Sequence, residues 1–260
     1  MSAIADLDGL LLDIDGVLSV SWQPVPGSID AMRWIGERGL PYRLITNTTT
    51  HTRRDLAATL NDAGFDVGPE QIVTAVVATA THLRAHHPGA RVFVLSDGDA
   101  GEDLEGVTLT GPDEADIVVI GGACDDFTYD TLNTVFQRLM DGAVLVGMHR
   151  NLFWRTSTGW ALDGGAYIAG LEEATGIPAT ICGKPAPEYF ASALTLMGVA
   201  PDRALMVGDD IDNDVSGAQA AGIRGVLVRT GKFRDADLAR GTPDHVIDAL
   251  SDLPALLGGN

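Results

Sequence analysis

A chain of 260 residues with 45% apolar side chains is long enough to bury one large core or two smaller ones. Its net charge of −19, with Lys184 and Lys232 as its two lysines, argues against nucleic acid and anionic membrane surfaces as partners. No apolar run approaches the ~20 residues that span a bilayer, the N-terminus lacks a basic-then-apolar leader, and Cys124 and Cys182 stand apart without metal-ligand spacing; the expectation is a soluble cytoplasmic protein with reduced thiols.

Residues 9–14 read as a strand, in which the apolar run Leu10-Leu11-Leu12 ends in Asp13 and Asp15. An uninterrupted apolar run suits a parallel strand buried on both faces. Residues two apart on a strand project to the same side, so the two carboxylates are expected to converge, and Gly16 lets the chain turn away. Asp6-Leu7-Asp8-Gly9 has the same spacing but precedes the run, which puts it at the opposite sheet edge. A helix over 28–38, a strand over 42–46, a helix over 52–63 and another near 73–86 follow. A second alternating block comes next, with strands over 92–95 and 116–120, a helix over 128–140, a strand over 143–146 and a helix over about 165–175. The first style then resumes: helix 187–197, strand 204–207, helix 213–221, strand 225–228 and a C-terminal helix near 247–256. This alternation predicts an α/β fold with a doubly wound, Rossmann-like parallel sheet.

Four polar pieces punctuate the pattern in order: Asp13-Ile14-Asp15, Thr46-Asn47, Gly183-Lys184-Pro185, and Gly208-Asp209-Asp210 with Asp214. Three of them directly follow a predicted strand, so they gather at the C-terminal edge of the sheet, where open α/β sheets bind ligands. Together they suit phosphoryl transfer. Asp13 would attack phosphorus, dividing one difficult hydrolysis into two easier steps. A carboxylate approaching a phosphate dianion needs compensating positive charge, which a hard cation on oxygen ligands supplies; Mg²⁺ is expected, held by Asp13, Asp209, the backbone carbonyl of Asp15 and, directly or through water, Asp214. Lys184 would neutralise phosphoryl oxygens and nucleophile, Thr46 and Asn47 would bind phosphate, and Asp15 would serve as general acid and then general base. The 210–221 stretch is not a helix–loop–helix calcium loop, because its sixth and twelfth positions are Val215 and Ala221 where Gly and Glu are required. Asp97-Gly98-Asp99 fails the same pattern and reads as a plain loop.

The four pieces, in this order and spacing, resemble the motifs of the haloacid dehalogenase superfamily, and the pair of acids at 13 and 15 resembles its phosphatases. About 137 residues separate Asn47 from Lys184, far more than one crossover needs. That spacing is similar to the NagD-like branch, which carries a large α/β cap there. Val118–Gly121, Phe127-Thr128-Tyr129 and the Arg150–Gly165 stretch resemble that cap, and Thr46–Thr49 with Val228–Phe233 resemble its phospholysine phosphohistidine inorganic pyrophosphate phosphatase subgroup. The resemblance implies a catalytic core of residues 1–80 and 182–260, an inserted cap of residues 81–181, and a homodimer through the caps. It further implies a magnesium-dependent phosphatase acting on a small phosphorylated metabolite. Two alternatives stay open: a pyrophosphate or phosphoamide hydrolase using the same chemistry, and a non-catalytic metabolite-binding protein on this fold. Candidate substrate residues in the cap are His149, Arg150 and Arg155, with Trp154 and Trp160 as walls.

Overall fold

The apolar run at the start of the chain forms a strand, Gly9–Asp13, buried at every position. It lies centrally in a six-stranded sheet. On one side of it come Tyr42–Thr46 and Ile72–Thr74; on the other come Ala204–Gly208, Arg224–Val228 and His245–Ile247. Gly9–Asp13 pairs in parallel with both neighbours, Leu12 standing opposite Val207 on one side and Leu44 on the other. Strand order therefore reverses between Gly9–Asp13 and Ala204–Gly208. Such a switch point opens a crevice beyond the carboxyl ends of the two strands. Asp13 closes one of them, and Asp209 directly follows the other.

One face of this sheet packs Leu10, Leu12, Leu44, Leu205, Val207, Val226 and Val228 against two amphipathic helices, Ser28–Glu37 through Ala31, Met32 and Ile35, and Arg53–Asp62 through Leu56, Ala57 and Leu60. The helix Pro187–Thr195 buries Tyr189, Phe190, Ala193 and Leu194.

The computed structural model describes residues 4, 6–98, 101–156 and 159–258, with the side chains of 154–156 excepted. The chain divides into two compact units: Met1–Thr46, Arg53–Val73 and Lys184–Asn260 form one, and Asn47–Thr52 with Thr74–Gly183 the other. The second unit has its own parallel sheet, ordered Thr180–Ile181, Val144–Gly147, Ile117–Ile120, Arg91–Leu95, Thr108–Leu109. Val118, Ile120 and Leu145 from this sheet pack with Val135 and Leu139 of the helix Tyr129–Met140 and with Ile168 and Leu171 of the helix Gly164–Thr175. Both helices begin on a side-chain cap: Thr128 accepts from the Thr131 N–H, and Asp163 from the Gly164 N–H. An antiparallel hairpin pairs Phe153–Thr156 with Gly159–Leu162.

The structure departs from the sequence reading in several places. The segment near 73–86 is a short strand, Ile72–Thr74, followed by the helix Ala75–His86, whose first turn is capped by Thr74. The expected C-terminal helix is the strand His245–Ile247, a 3₁₀ turn and one helical turn, Leu253–Leu256. These two unforeseen strands are the edges of the first sheet; edge strands are commonly short, too short to show a period of two. The helix expected over 213–221 is a π-helical turn, Ile211–Ser216, running into the short helix Gly217–Ala220.

Candidate active site

Three of the four sequence motifs meet at the carboxyl ends of Gly9–Asp13 and Ala204–Gly208. Lys184 lies 4% exposed between two buried acids. Its Nζ donates to Asp13 Oδ1 at 2.7 Å and to Asp214 Oδ1 at 2.6 Å. Asp214 is further fixed by the Asp210 N–H, which donates to its Oδ2. Asp209 is 1% exposed and receives the Lys232 N–H on Oδ2 at 2.6 Å. One carboxylate oxygen from each of Asp13, Asp209 and Asp214 lies within 4.8 Å of the others.

This is a dense set of buried charges, and each acid responds to it. Burial pushes the Asp13 carboxyl up, against the pull of Lys184. Burial likewise raises Asp214, to about 6. Asp209 is driven well above the usual carboxylate range by burial and by the charges of Asp13 and Asp214. The pKa of Lys184 is raised too, but for a lysine that favours the charged form. Burial opposes its charge, but Asp13 and Asp214 more than offset that and hold it protonated well above the usual lysine value. Asp210 behaves differently from its neighbour: although burial opposes ionisation, hydrogen bonds from Asn213 and the Asp212 N–H keep it low. It caps the π-helical turn, while Asp209 faces the acid cluster.

Asp15 is not on the strand with Asp13. The strand stops at Asp13, and Asp15 lies in a tight turn closed by the Gly16 N–H on the Ser19 carbonyl at 2.7 Å. The common pleat expected from the sequence is thus replaced by a bend, which leaves Asp13 buried and Asp15 exposed. Asp15 remains near enough for its charge to raise the Asp13 pKa.

Thr46 ends its strand, 2% exposed. Its N–H donates to the Tyr189 hydroxyl, which in turn donates to the Val73 carbonyl. Tyr189 therefore pins the end of the Thr46 strand from the helix that follows Lys184. The sequence offered no sign of this, since an aromatic on an amphipathic helix reads simply as core. Asn47 falls in the second unit.

Two of the cap candidates, His149 and Arg150, have partners within their own unit. His149 is buried, its Nδ1 accepting from the Asn151 N–H at 3.3 Å and its Nε2 lying 3.8 Å from Asp163 Oδ1. Arg150 forks onto Glu172 at 2.9 and 2.6 Å, holding that carboxyl below its usual pKa. The Glu172 carboxylate also accepts from the Ala179 N–H, so this pair ties a helix to the loop after it. Trp160 is exposed and meets the Phe153 ring edge-on. The side chains of Arg155 and Trp154 lie outside the described residues.

A buried carboxylate beside a buried lysine and a second acid thus lies at the switch point of a Rossmann-like sheet, the edge where open α/β sheets bind ligands. Comparison with known proteins gives the family. The family profile "haloacid dehalogenase-like hydrolase" matches residues 10–110, and a HAD-hydrolase-like profile matches residues 181–253. The chain is 37% identical over 231 residues to haloacid dehalogenase-like hydrolase domain-containing protein 2 of Bos taurus, covering 89% of this chain and 87% of that one. It is 39% identical over 235 residues to the phospholysine phosphohistidine inorganic pyrophosphate phosphatase of Xenopus laevis, covering 88% and 85%. Among solved structures, the p-nitrophenyl phosphatase from Archaeoglobus fulgidus superposes with a TM-score of 0.89 at 28% identity, and NagD from E. coli K-12 with 0.85 at 27%, each covering 95% of this chain and 98% of the other. The chain belongs to the haloacid dehalogenase-like hydrolases, in their NagD-like branch, and is a hydrolase of the phosphatase type with an inserted α/β cap domain. Among the described residues no helix is long and apolar enough to cross a membrane.

Proposed function

We propose that the chain is a Mg²⁺-dependent phosphatase that hydrolyses a small phosphorylated metabolite through a phosphoryl group carried on Asp13. The observation that carries this reading is the buried Asp13–Lys184–Asp214 pair system beside Asp209. Asp209 Oδ1 is buried and has no hydrogen-bond partner among the described residues. A buried, unpartnered carboxylate oxygen on a residue that clusters with two further carboxylates is costly unless a cation completes it. The donors are all hard oxygens, which suits Mg²⁺. Asp13, Asp209 and the Asp15 carbonyl would hold the ion, with Asp214 beside them. When bound, it supplies the positive charge that lets a carboxylate meet an anionic phosphoryl group.

The chain's own residues then divide the work. Lys184 keeps Asp13 ionised and compensates charge on the phosphoryl oxygens. Thr46 holds those oxygens; because its N–H is given to Tyr189, the contact falls to its hydroxyl. An Asp13 oxygen bonds to phosphorus as the bond from phosphorus to the leaving oxygen breaks, and that oxygen takes a proton from Asp15. Asp15, now a carboxylate, removes a proton from water as the water oxygen bonds to phosphorus and the Asp13–phosphorus bond breaks. Phosphate leaves, and both aspartates return to their starting states. The exposed position of Asp15 supports this role, since it has to exchange protons with leaving groups and water. Asp214 orients Lys184 through Oδ1, while its Oδ2 is held by the Asp210 N–H.

The 39% identity to a phospholysine phosphohistidine inorganic pyrophosphate phosphatase supports a second reading, hydrolysis of a phosphoanhydride or phosphoamide by the same steps. Phosphate release from a panel of sugar and cofactor monophosphates, pyrophosphate and phosphoamides, with and without Mg²⁺, for wild type and Asp13→Asn, separates the two. A metal-dependent monoester preference that vanishes in the variant is the expected result. Preference for pyrophosphate or phosphoamides selects the second reading, and no release from any compound by folded protein overturns both.

A further inference from the structure

The two oxygens of Asp209 have different surroundings. Its Oδ2 accepts the Lys232 N–H. The same oxygen is wedged between two glycines: a Cβ built on Gly16 would lie 2.1 Å from it, and one built on Gly231 would lie 2.0 Å from it. Both glycines have positive φ, +84° and +67°, a conformation that glycine adopts without strain. The two loops carrying them are fastened together by the Thr230 hydroxyl, which donates to the Gly16 carbonyl. Oδ1 on the other side is buried and unpartnered among the described residues.

We infer that Thr230, Gly231 and the Lys232 N–H form a clasp that locks the Asp209 carboxylate in one orientation, and that this clasp sets the affinity of the acid cluster for its divalent cation. These are positioning residues. They touch neither substrate nor cation, and act by fixing which Asp209 oxygen is presented. A carboxylate with neither oxygen held would rotate, and ordering it on binding would cost affinity. The backbone donor also satisfies Oδ2, so a bound cation need compensate only Oδ1 and its neighbours. The effect belongs to the Lys232 backbone and not to its ammonium.

The inference rests on the reading of Asp209 as a cation ligand, and the experiment separates the two. Mg²⁺ binding is measured by titration calorimetry on the full chain stripped of metal, with the thermal midpoint of each metal-free variant recorded alongside. Asp209→Asn tests the underlying reading and should abolish Mg²⁺ binding. Thr230→Val removes the hydroxyl at constant shape and should weaken binding about fivefold, the factor that the net worth of one hydrogen bond yields. Thr230→Ser keeps the hydroxyl and should restore wild-type affinity. Lys232→Gln keeps the N–H and should bind Mg²⁺ as tightly as wild type or more tightly, since it removes a nearby positive charge. If Asp209→Asn still binds Mg²⁺ normally, the cation reading falls. If Asp209→Asn loses binding while a folded Thr230→Val retains full affinity, the clasp alone is overturned. A Lys232→Gln loss matching that of Thr230→Val would move the effect to the side chain and also overturn it.

Discussion

Lys184→Met is the sharpest test of the charge arrangement. Methionine keeps the length and apolar stem of the lysine and removes only the ammonium. The lysine is 4% exposed and pairs with two acids that are 6% and 1% exposed at the side chain. Breaking a buried pair from one side leaves uncompensated charge and costs about 3–5 kcal/mol. Against a typical domain stability of about 5–15 kcal/mol that is a large fraction. At roughly 2–4 °C per kcal/mol for a chain of this size, the thermal midpoint should fall by roughly 6–20 °C near pH 7.5. The assay is thermal unfolding followed by circular dichroism in excess chelator, at pH 7.5 and pH 5.5.

The two pH values matter because the sign of the linkage is fixed. In the wild type, the folded pKa of Asp214, about 6, lies above its unfolded value of 3.8. The folded chain therefore keeps a proton that the unfolded chain releases. Stability linked to that proton is fully present below the unfolded pKa and is lost as pH rises through about 6. Removing Lys184 takes away the attraction that lowers both Asp13 and Asp214, so their folded pKa values climb further. At pH 5.5 the variant can then neutralise the cluster by taking up protons, and its deficit relative to wild type should shrink. An equal deficit at both pH values, or a loss below ~1 kcal/mol at pH 7.5, would refute the claim that Lys184 compensates ionised buried acids.

Asp15→Asn should lower turnover by about 10²–10⁴-fold with little change in KM, as expected for loss of a general acid–base, measured by steady-state phosphate release. Mg²⁺ at a hundred times its Kd should add about 2.7 kcal/mol of stability, and this gain, read as a thermal shift, should diminish from pH 7.5 to pH 5.5 because protons compete for the raised carboxyls of Asp209 and Asp214. Tyr189→Phe strands the buried Thr46 N–H and Val73 carbonyl and should cost about 1–3 kcal/mol by chemical denaturation. Arg150→Ala should cost under ~1 kcal/mol, because its pair with Glu172 is partly exposed, and should leave KM unchanged; a KM rise above tenfold would restore Arg150 as a substrate contact.

The central strands were legible because each is a run of apolar residues ending abruptly in polar ones: Leu10–Leu12 before Asp13, Leu44-Ile45 before Thr46, Leu205–Val207 before Asp209. A parallel strand buried on both faces leaves this trace. The edge strands Ile72–Thr74 and His245–Ile247 leave almost none, being three residues long and set against helices or turns with similar apolar content. In the site, Asp13, Lys184, Asp209 and Asp214 could be gathered from their places beside strands and in order along the chain. The bend that moves Asp15 off the strand could not, because it depends on a backbone hydrogen bond between Gly16 and Ser19. Tyr189 was hidden for another reason. Its ring belongs to the core and only its hydroxyl serves the site, so periodicity reports the first and is blind to the second.

The distribution of positive charge explains why so acidic a chain can act on anions. Of 17 basic side chains only Lys184 and Lys232 are lysines; Lys184 pairs with the acid cluster directly, and the charge of Lys232 is felt by the same acids. Three arginines elsewhere fork onto carboxylates and join distant segments, Arg203 with Asp8, Arg91 with Asp116 and Arg150 with Glu172. That division follows from the two head groups: a planar guanidinium is matched to bidentate carboxylate pairing, whereas an ammonium is a compact point charge that fits between two acids. Lys184 does the latter, bridging Asp13 and Asp214 at 2.7 and 2.6 Å. In water these charges would be weakly coupled; buried, they are strongly so. Cationic charge is thus concentrated at the acid cluster, where the proposed attack of Asp13 on an anion would need it, in a chain whose overall charge is −19.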